Sequence, residues 1–204
     1  MTLKHRFYLL MEDYTSDQNY VGFCWNELQT AYTASTRFYH NLSHLENMFV
    51  DLDEVKEHIS YFDAVAFAMF YHDIVYDAAQ QDNEYQSAVL FKERIGQTSF
   101  SEIDKVFRMI EETKFHGLSE DNDTNFLMDI DLAILGQSLE TYKRYYQNIR
   151  KEYQIYPDEM YQIGRTQVLN KMLEAGDLFK TDYFKAKYEE QAKENILLEL
   201  SKFS

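Results

Sequence analysis

The stretch YFDAVAFAMFYHDIVY, residues 61–76, decides the fold. Residues 61–71 are apolar on almost every side, and a helix without a polar face has to be buried all round. Ser60 and Asp63 stand at the spacing of a helix start signal. The stretch therefore predicts a fully buried core helix.

Helical spacing of apolar residues continues on both sides of this core helix. Ser16 and Asp17 can cap a helix that runs to about Ser35, and Ser43–Glu46 matches a capping box that starts another. Further helices are predicted over Asn83–Ile95, Ser101–Phe115, about Ile130–Tyr153, Met160–Ala175 and Tyr183–Phe203. About eight helices and the dominant helical period predict an all-α fold.

The composition supports one helical domain. The chain has 204 residues, 45% of them hydrophobic, with six glycines and one proline. Antiparallel sandwiches and barrels need many turns marked by Gly or Pro, so these architectures are disfavoured. No Pro- or Ser-rich linker divides the chain, which predicts a single domain over residues 1–204.

The charge balance restricts the partners that the protein can have. Thirty-five acidic residues against twenty basic ones give a net charge of -15, which repels nucleic acid polymers and anionic membrane surfaces. One cysteine, Cys24, cannot form an internal disulfide, which fits a reducing compartment. No apolar run approaches the ~18 residues of a membrane span. A cytoplasmic protein is therefore expected.

The residues that follow the core helix are the first candidates for chemistry. His72 and Asp73 stand side by side, and apolar Ile74 and Val75 come next. A buried carboxylate beside a buried imidazole is costly unless both have partners. A bound cation would satisfy both groups, and a purely structural His–Asp pair that caps the core helix is the alternative.

More histidines and acids lie on either side of this pair. His40 and His44 belong to RFYHNLSH, His116 ends TKFH, and Asp129 and Asp131 belong to the apolar MDIDLAILG. Acids at core-facing positions require a cation or a hydrogen-bond network. Taken singly, His44 could cap a helix or lie at the surface, His116 could face helix carbonyls, and Asp131 could be an N-cap.

The order His40, His72–Asp73, Asp129 resembles the HD superfamily of all-helical metal-dependent phosphohydrolases. The segments that carry the resemblance are RFYHNLSHLENM, FYHDIVYD, DNEYQSA, TKFH, MDIDLAILG, IRKEY and GRTQVL. They are most similar to a bacterial group of predicted HD phosphohydrolases of about this length. The resemblance implies a single HD-type helical bundle with its core motifs in residues 37–169 and C-terminal helices over 160–203 packed on it.

The resemblance also implies a set of metal ligands. These ligands are His40, His72, Asp73 and Asp129. Asp131 is the alternative to Asp129 as the last ligand, and His44 and His116 could be additional ligands. Two imidazoles and two carboxylates suit a divalent Mn, Fe, Co, Ni or Zn ion. One histidine between Asp73 and the Asp-x-Asp segment departs from the fullest two-metal pattern, so one ion is expected.

Catalysis would then use water that the metal activates at neutral pH to attack a phosphoryl group. Arg37 and Lys114 are the cations expected to balance charge on the phosphoryl oxygens. Asp73 belongs to the catalytic set as a ligand. Glu84 could act as a base toward the water, or it could be a first-turn acid that stabilises a helix N-terminus.

The sequence thus predicts hydrolysis of a small phosphorylated metabolite or nucleotide. An HD protein that binds metal or nucleotide for regulation, without catalysis, is one alternative. A di-iron HD oxygenase is another, although such enzymes use more histidines than this chain offers. The amphipathic segment Tyr183–Phe203 could form the surface of a homodimer.

Overall fold

The computed structural model describes residues 1–203, and this part of the chain is entirely helical. It contains ten α-helices and two short 3-10 helices, with no strand, so the all-α prediction is confirmed. The α-helices are α1 (Leu3–Glu12), α2 (Gln18–Tyr32), α3 (Leu42–Val55), α4 (Phe62–Tyr71), α5 (Asn83–Ile95), α6 (Ile103–Glu112), α7 (Asn122–Leu132), α8 (Leu139–Glu152), α9 (Asp158–Glu174) and α10 (Asp182–Leu200). The 3-10 helices cover Lys56–His58 and Ala133–Gly136.

The helices group into two compact units, which are described separately. The N-terminal unit is Met1–Leu127 and the C-terminal unit is Met128–Ser204, so helix α7 begins in one and ends in the other. A single HD-type domain over the whole chain stays a prediction.

Helix α4 forms the core of the N-terminal unit, as its sequence predicts. Residues 64–71 are all buried. The ring of Phe67 lies 4.8 Å from that of Phe100, and the ring of Phe70 lies 4.7 Å from that of Phe49. Aromatic packing on several sides of one helix holds its C-terminal end, where His72 and Asp73 follow, in a fixed place.

The start of α4 is capped differently from the prediction. Ser60 and Asp63 do not cap it; the carboxylate of Asp123 accepts hydrogen bonds from the backbone N–H groups of Ser60 (2.9 Å) and Tyr61 (2.8 Å). Asp63 instead accepts from the Tyr14 hydroxyl at 2.6 Å. A carboxylate satisfies the free amides of a helix N-terminus equally well from a distant part of the chain.

The other helix starts in the N-terminal unit lie close to their predictions. Asp17 caps α2, because its carboxylate accepts from the amides of Asn19 and Tyr20. Helix α3 begins one residue before the predicted capping box, since Asn41 is the residue that accepts from the Ser43 amide at 2.9 Å. Helix α5 has the predicted bounds. Helix α1 was not among the predicted helices.

The predicted helix over about Ile130–Tyr153 is wrong as one element. Helix α7 ends at Leu132, the chain forms the 3-10 turn Ala133–Gly136, and α8 starts after Ser138, whose hydroxyl accepts from the Thr141 amide. A Cβ on Gly136 would lie 2.4 Å from Tyr188 Cβ of α10, so this contact requires glycine. The helix is therefore interrupted between Leu132 and Leu139, where Gly136 packs closely against α10 and Ser138 caps α8.

The C-terminal unit buries an ion pair between α9 and α10. Arg165 Nε and Nη2 donate to the two oxygens of Glu199 at 2.8 and 3.1 Å, and the Tyr142 hydroxyl donates to Glu199 at 2.5 Å. The burial of Tyr142 and its contact with the Glu199 carboxylate raise the pKa of its hydroxyl. Every oxygen of this buried acid is therefore held by protein donors.

Within residues 1–203, no helix has the length and apolar character needed to span a membrane.

Candidate metal centre

Two segments of the N-terminal unit bring histidines and an acid together. His40 lies just before α3, His44 lies in its first turn, and His72 and Asp73 follow the last turn of α4. Helix α4 is fixed by aromatic packing, and α3 begins at the Asn41 cap. These two local structures therefore determine where the four side chains lie.

Two imidazoles lie close to the carboxylate of Asp73. His72 Nε2 lies 3.0 Å from Asp73 Oδ2, and His40 Nε2 lies 4.0 Å from the same oxygen. The residues of the predicted His…His–Asp pattern, 32 positions apart along the chain, thus converge on one oxygen. Convergence of nitrogen and oxygen donors is the arrangement that a mixed-ligand metal site requires.

The ring orientation of His72 is fixed by the helix that precedes it. Its side chain is 1% exposed, and Nδ1 lies 2.9 Å from the backbone oxygen of Met69. A carbonyl can only accept, so Nδ1 carries a proton and donates it. Nε2 then faces Asp73 Oδ2 at 3.0 Å, where a proton on Nε2 or a cation bound by both atoms makes the contact attractive.

A backbone partner of this kind is the usual support of a metal-binding histidine. Sequence reasoning missed the Met69 carbonyl. The sequence contains a signal for this contact: His72 lies three positions after Met69 at the end of a helix, where a histidine ring can reach the carbonyl of the preceding turn. The Met69 carbonyl therefore orients the His72 ring as a metal-binding histidine requires.

Aromatic rings surround the remaining imidazoles. His44 is buried, with its ring 5.6 Å from that of His72 and 5.9 Å from that of His40. Tyr76 lies 4.3 Å from the His40 ring, and Tyr39 lies 4.8 Å from that of His44. These rings reduce the exposure of the cluster to water: the His40 side chain is 19% exposed, and His44 is buried.

Arg37 is buried beside this cluster, and its guanidinium contacts backbone oxygens. Nη1 donates to the carbonyls of His40 (3.2 Å) and Asp73 (2.6 Å), and Nη2 donates to that of Ile74 (2.8 Å). The sequence predicts that Arg37 binds the oxygens of a phosphoryl group. In the structure its guanidinium instead donates to three main-chain carbonyls.

Asp129 and Asp131 lie at the end of α7, in the C-terminal unit. Asp129 is fully buried, and it accepts hydrogen bonds at 2.7 Å each from the Lys180 amide, the Thr181 amide and the Thr181 hydroxyl. Burial raises the pKa of Asp129, while these bonds act in the opposite direction. Both Asp129 oxygens thus hold the start of α10, whereas Asp131 is half-buried.

The other predicted residues lie on neighbouring segments of the N-terminal unit. Glu84 is half-buried in the first turn of α5. Lys114 follows α6, is exposed, and donates to the backbone oxygen of Gln81. His116 is half-buried, with a positive φ of 46°. Their assignments as base, cation and additional ligand stay predictions.

Comparison with known proteins gives no family for this chain. No protein-family model matches it, and neither the curated proteins nor the solved structures include a match. The function therefore has to be inferred from the site itself.

Proposed function

We propose that the protein is a metal-dependent phosphohydrolase of the HD type that acts on a small phosphorylated metabolite or nucleotide. The observation that carries this proposal is the approach of His40 Nε2 and His72 Nε2 to one oxygen of Asp73, at 4.0 and 3.0 Å. The His72–Met69 hydrogen bond supports it, because it orients the ring as a metal ligand requires.

The proposed ligand set begins with the residues of the N-terminal unit. His40, His72 and Asp73 keep the roles that the sequence pattern implies. For the last carboxylate we propose Asp131, the alternative to Asp129 that the sequence pattern offers. Asp129 is the weaker choice, because its oxygens already accept three hydrogen bonds from Lys180 and Thr181.

These donors favour a first-row divalent ion such as Mn, Fe, Co, Ni or Zn. When bound, such an ion would acidify water and polarise a phosphoryl oxygen. The rings of Tyr39 and Tyr76, which pack against His44 and His40, would limit the access of bulk water to the reacting group. Glu84 is the proposed base, and Lys114 is the cation proposed for the phosphoryl oxygens.

Metal analysis and a substrate screen test the proposal together. The purified protein would be stripped with a chelator, reloaded with Mn, Fe, Co, Ni or Zn, and assayed on phosphomonoesters and nucleotides. We expect stoichiometric metal and hydrolysis of at least one class. His72→Ala and Asp73→Asn should remove both, whereas His5→Ala, which changes an exposed histidine of α1, should remove neither.

Each result of this experiment leads to a different conclusion. Metal uptake without hydrolysis of any substrate would favour the regulatory binding protein. Iron uptake accompanied by oxygen consumption would favour the oxygenase. Absence of metal uptake, or full hydrolysis by His72→Ala, would contradict the proposal.

A further inference from the structure

Arg37 joins two segments that are far apart in the sequence. Its guanidinium donates to the carbonyl of His40 on one side and to the carbonyls of Asp73 and Ile74 on the other. His40 and Asp73 are also the residues whose side chains approach one another, Nε2 to Oδ2, at 4.0 Å. One side chain therefore fixes the backbone of two proposed ligands.

The chemistry of arginine suits this task better than that of lysine. A guanidinium is planar and carries five N–H donors in a fixed fork, so it can hold several carbonyls at set directions. The Arg37 side chain is nine-tenths buried, and its guanidinium carbon lies 4.9 Å from the Tyr32 ring and 5.5 Å from the Tyr76 ring. Tyr76 in turn contacts the His40 ring at 4.3 Å.

We infer that Arg37 is a positioning residue: it sets the separation of His40 and Asp73 before any ligand binds. This inference rests on the proposed metal site. It differs from the sequence-based role in phosphate binding, because the observed acceptors of the guanidinium are main-chain oxygens. A residue that contacts only phosphate would leave metal affinity unchanged when it is replaced, and a positioning residue would not.

Cobalt titration of the chelator-treated protein tests the inference without substrate. Co²⁺ would be added to the wild type, Arg37→Ala and Arg37→Lys, with the dissociation constant and the visible d–d spectrum as readouts. We expect Arg37→Ala to bind Co²⁺ about 10–100-fold more weakly, the range typical for loss of a group that orients ligands. Arg37→Lys should recover only part of this loss.

Two controls separate positioning from a general loss of structure. Arg108→Ala, which removes an exposed arginine of α6, should leave both readouts at the wild-type level. Added guanidinium, at concentrations far below denaturing ones, should restore Co²⁺ binding to Arg37→Ala and not to His72→Ala. Circular dichroism would check the helical content of each variant. If Arg37→Ala fails to fold, Arg37→Lys takes its place in the comparison.

A measurement on the metal-free protein distinguishes failure of this inference from failure of the proposed function. The side-chain ¹⁵N signals of His40 should shift in Arg37→Ala, while those of His72 keep the Nδ1-protonated pattern that the Met69 carbonyl imposes. If the wild type takes up no metal, the proposed function fails, and these signals still decide the role of Arg37. Wild-type Co²⁺ affinity or unchanged His40 signals in Arg37→Ala would overturn the inference.

Discussion

Asp129 of the C-terminal unit is buried and Asp73 of the N-terminal unit is half-buried, and the two carboxylates have different partners. In the C-terminal unit, Asp129 accepts three hydrogen bonds at 2.7 Å from Lys180 and Thr181. In the N-terminal unit, Asp73 presents one oxygen to His72 Nε2 at 3.0 Å and to His40 Nε2 at 4.0 Å. Two amide N–H groups and a hydroxyl hold the Asp129 carboxylate, which supports a structural role for it. Nitrogens that can bind a cation make the second a candidate ligand.

The buried ion pair of the C-terminal unit is a second case in which protein donors hold a carboxylate. Glu199, with a side chain 1% exposed, receives the fork of Arg165 and the hydroxyl of Tyr142. This arrangement is complete without a ligand. The comparison predicts that replacing Asp129 or Glu199 changes stability, and that replacing Asp73 changes metal binding.

Removing Arg165 should produce the largest loss of stability. Arg165→Met leaves the Glu199 carboxylate buried without its cation, and breaking a buried pair in this way costs about 3–5 kcal/mol. Urea unfolding followed by circular dichroism measures the change.

The double variant Arg165→Met/Glu199→Leu is the matched control for this prediction. It also removes the Glu199 carboxylate, which would otherwise stay buried without a cation, so it should recover most of the lost stability. A single variant as stable as the wild type would show that the pair does not stabilise the C-terminal unit.

Removing the Asp129 carboxylate should have a smaller effect. Asp129→Ala leaves the buried amide and hydroxyl donors of Lys180 and Thr181 without their acceptor, which costs about 1–3 kcal/mol. The free energy of unfolding measures this loss. Metal content should stay at the wild-type level; loss of metal would restore Asp129 as the last ligand.

Asp121 gives the smallest effect and a dependence on pH. Burial acts to raise its pKa, but hydrogen bonds from Lys105 and Thr124 prevail and lower it below the ordinary value of 3.8. The unfolded chain thus holds this proton more tightly than the folded protein. The carboxylate therefore stabilises the fold above pH 3.8, and this contribution is lost as the pH falls through the lowered pKa.

Asp121→Asn should accordingly be less stable than the wild type at neutral pH. The difference should shrink as the pH falls below about 3.8. Unfolding measurements of both proteins across this range provide the test, and a difference that grows on acidification would contradict it.

Local signals in the sequence predicted much of the helical structure. The apolar residues of α4, the Asp17 cap and the bounds of α5 all depend on neighbouring residues, so they are readable from one sequence. The break after Leu132 was missed because it depends on Gly136 meeting Tyr188, a residue 52 positions away.

Long-range contacts also limit what the sequence reveals about the candidate site. The order of His40, His72 and Asp73 indicated a metal centre through its resemblance to a family pattern. The contacts of Arg37 with the Asp73 and Ile74 carbonyls, and the hydrogen bonds that hold Asp129, join residues 36 to 52 positions apart. The sequence therefore assigned Arg37 to phosphate from its residue type and its position before His40, and the resemblance favoured Asp129 over Asp131 as the last ligand.

Metal content of a matched pair of variants tests the central claim most directly. Asp73→Asn and Asp129→Asn each replace one buried or half-buried carboxylate by an amide of the same shape, one in each unit. After reloading with Co²⁺ or Mn²⁺, mass spectrometry of the metals should find wild-type content in Asp129→Asn and none in Asp73→Asn. Full metal content in Asp73→Asn would contradict the assignment of this carboxylate to a metal centre.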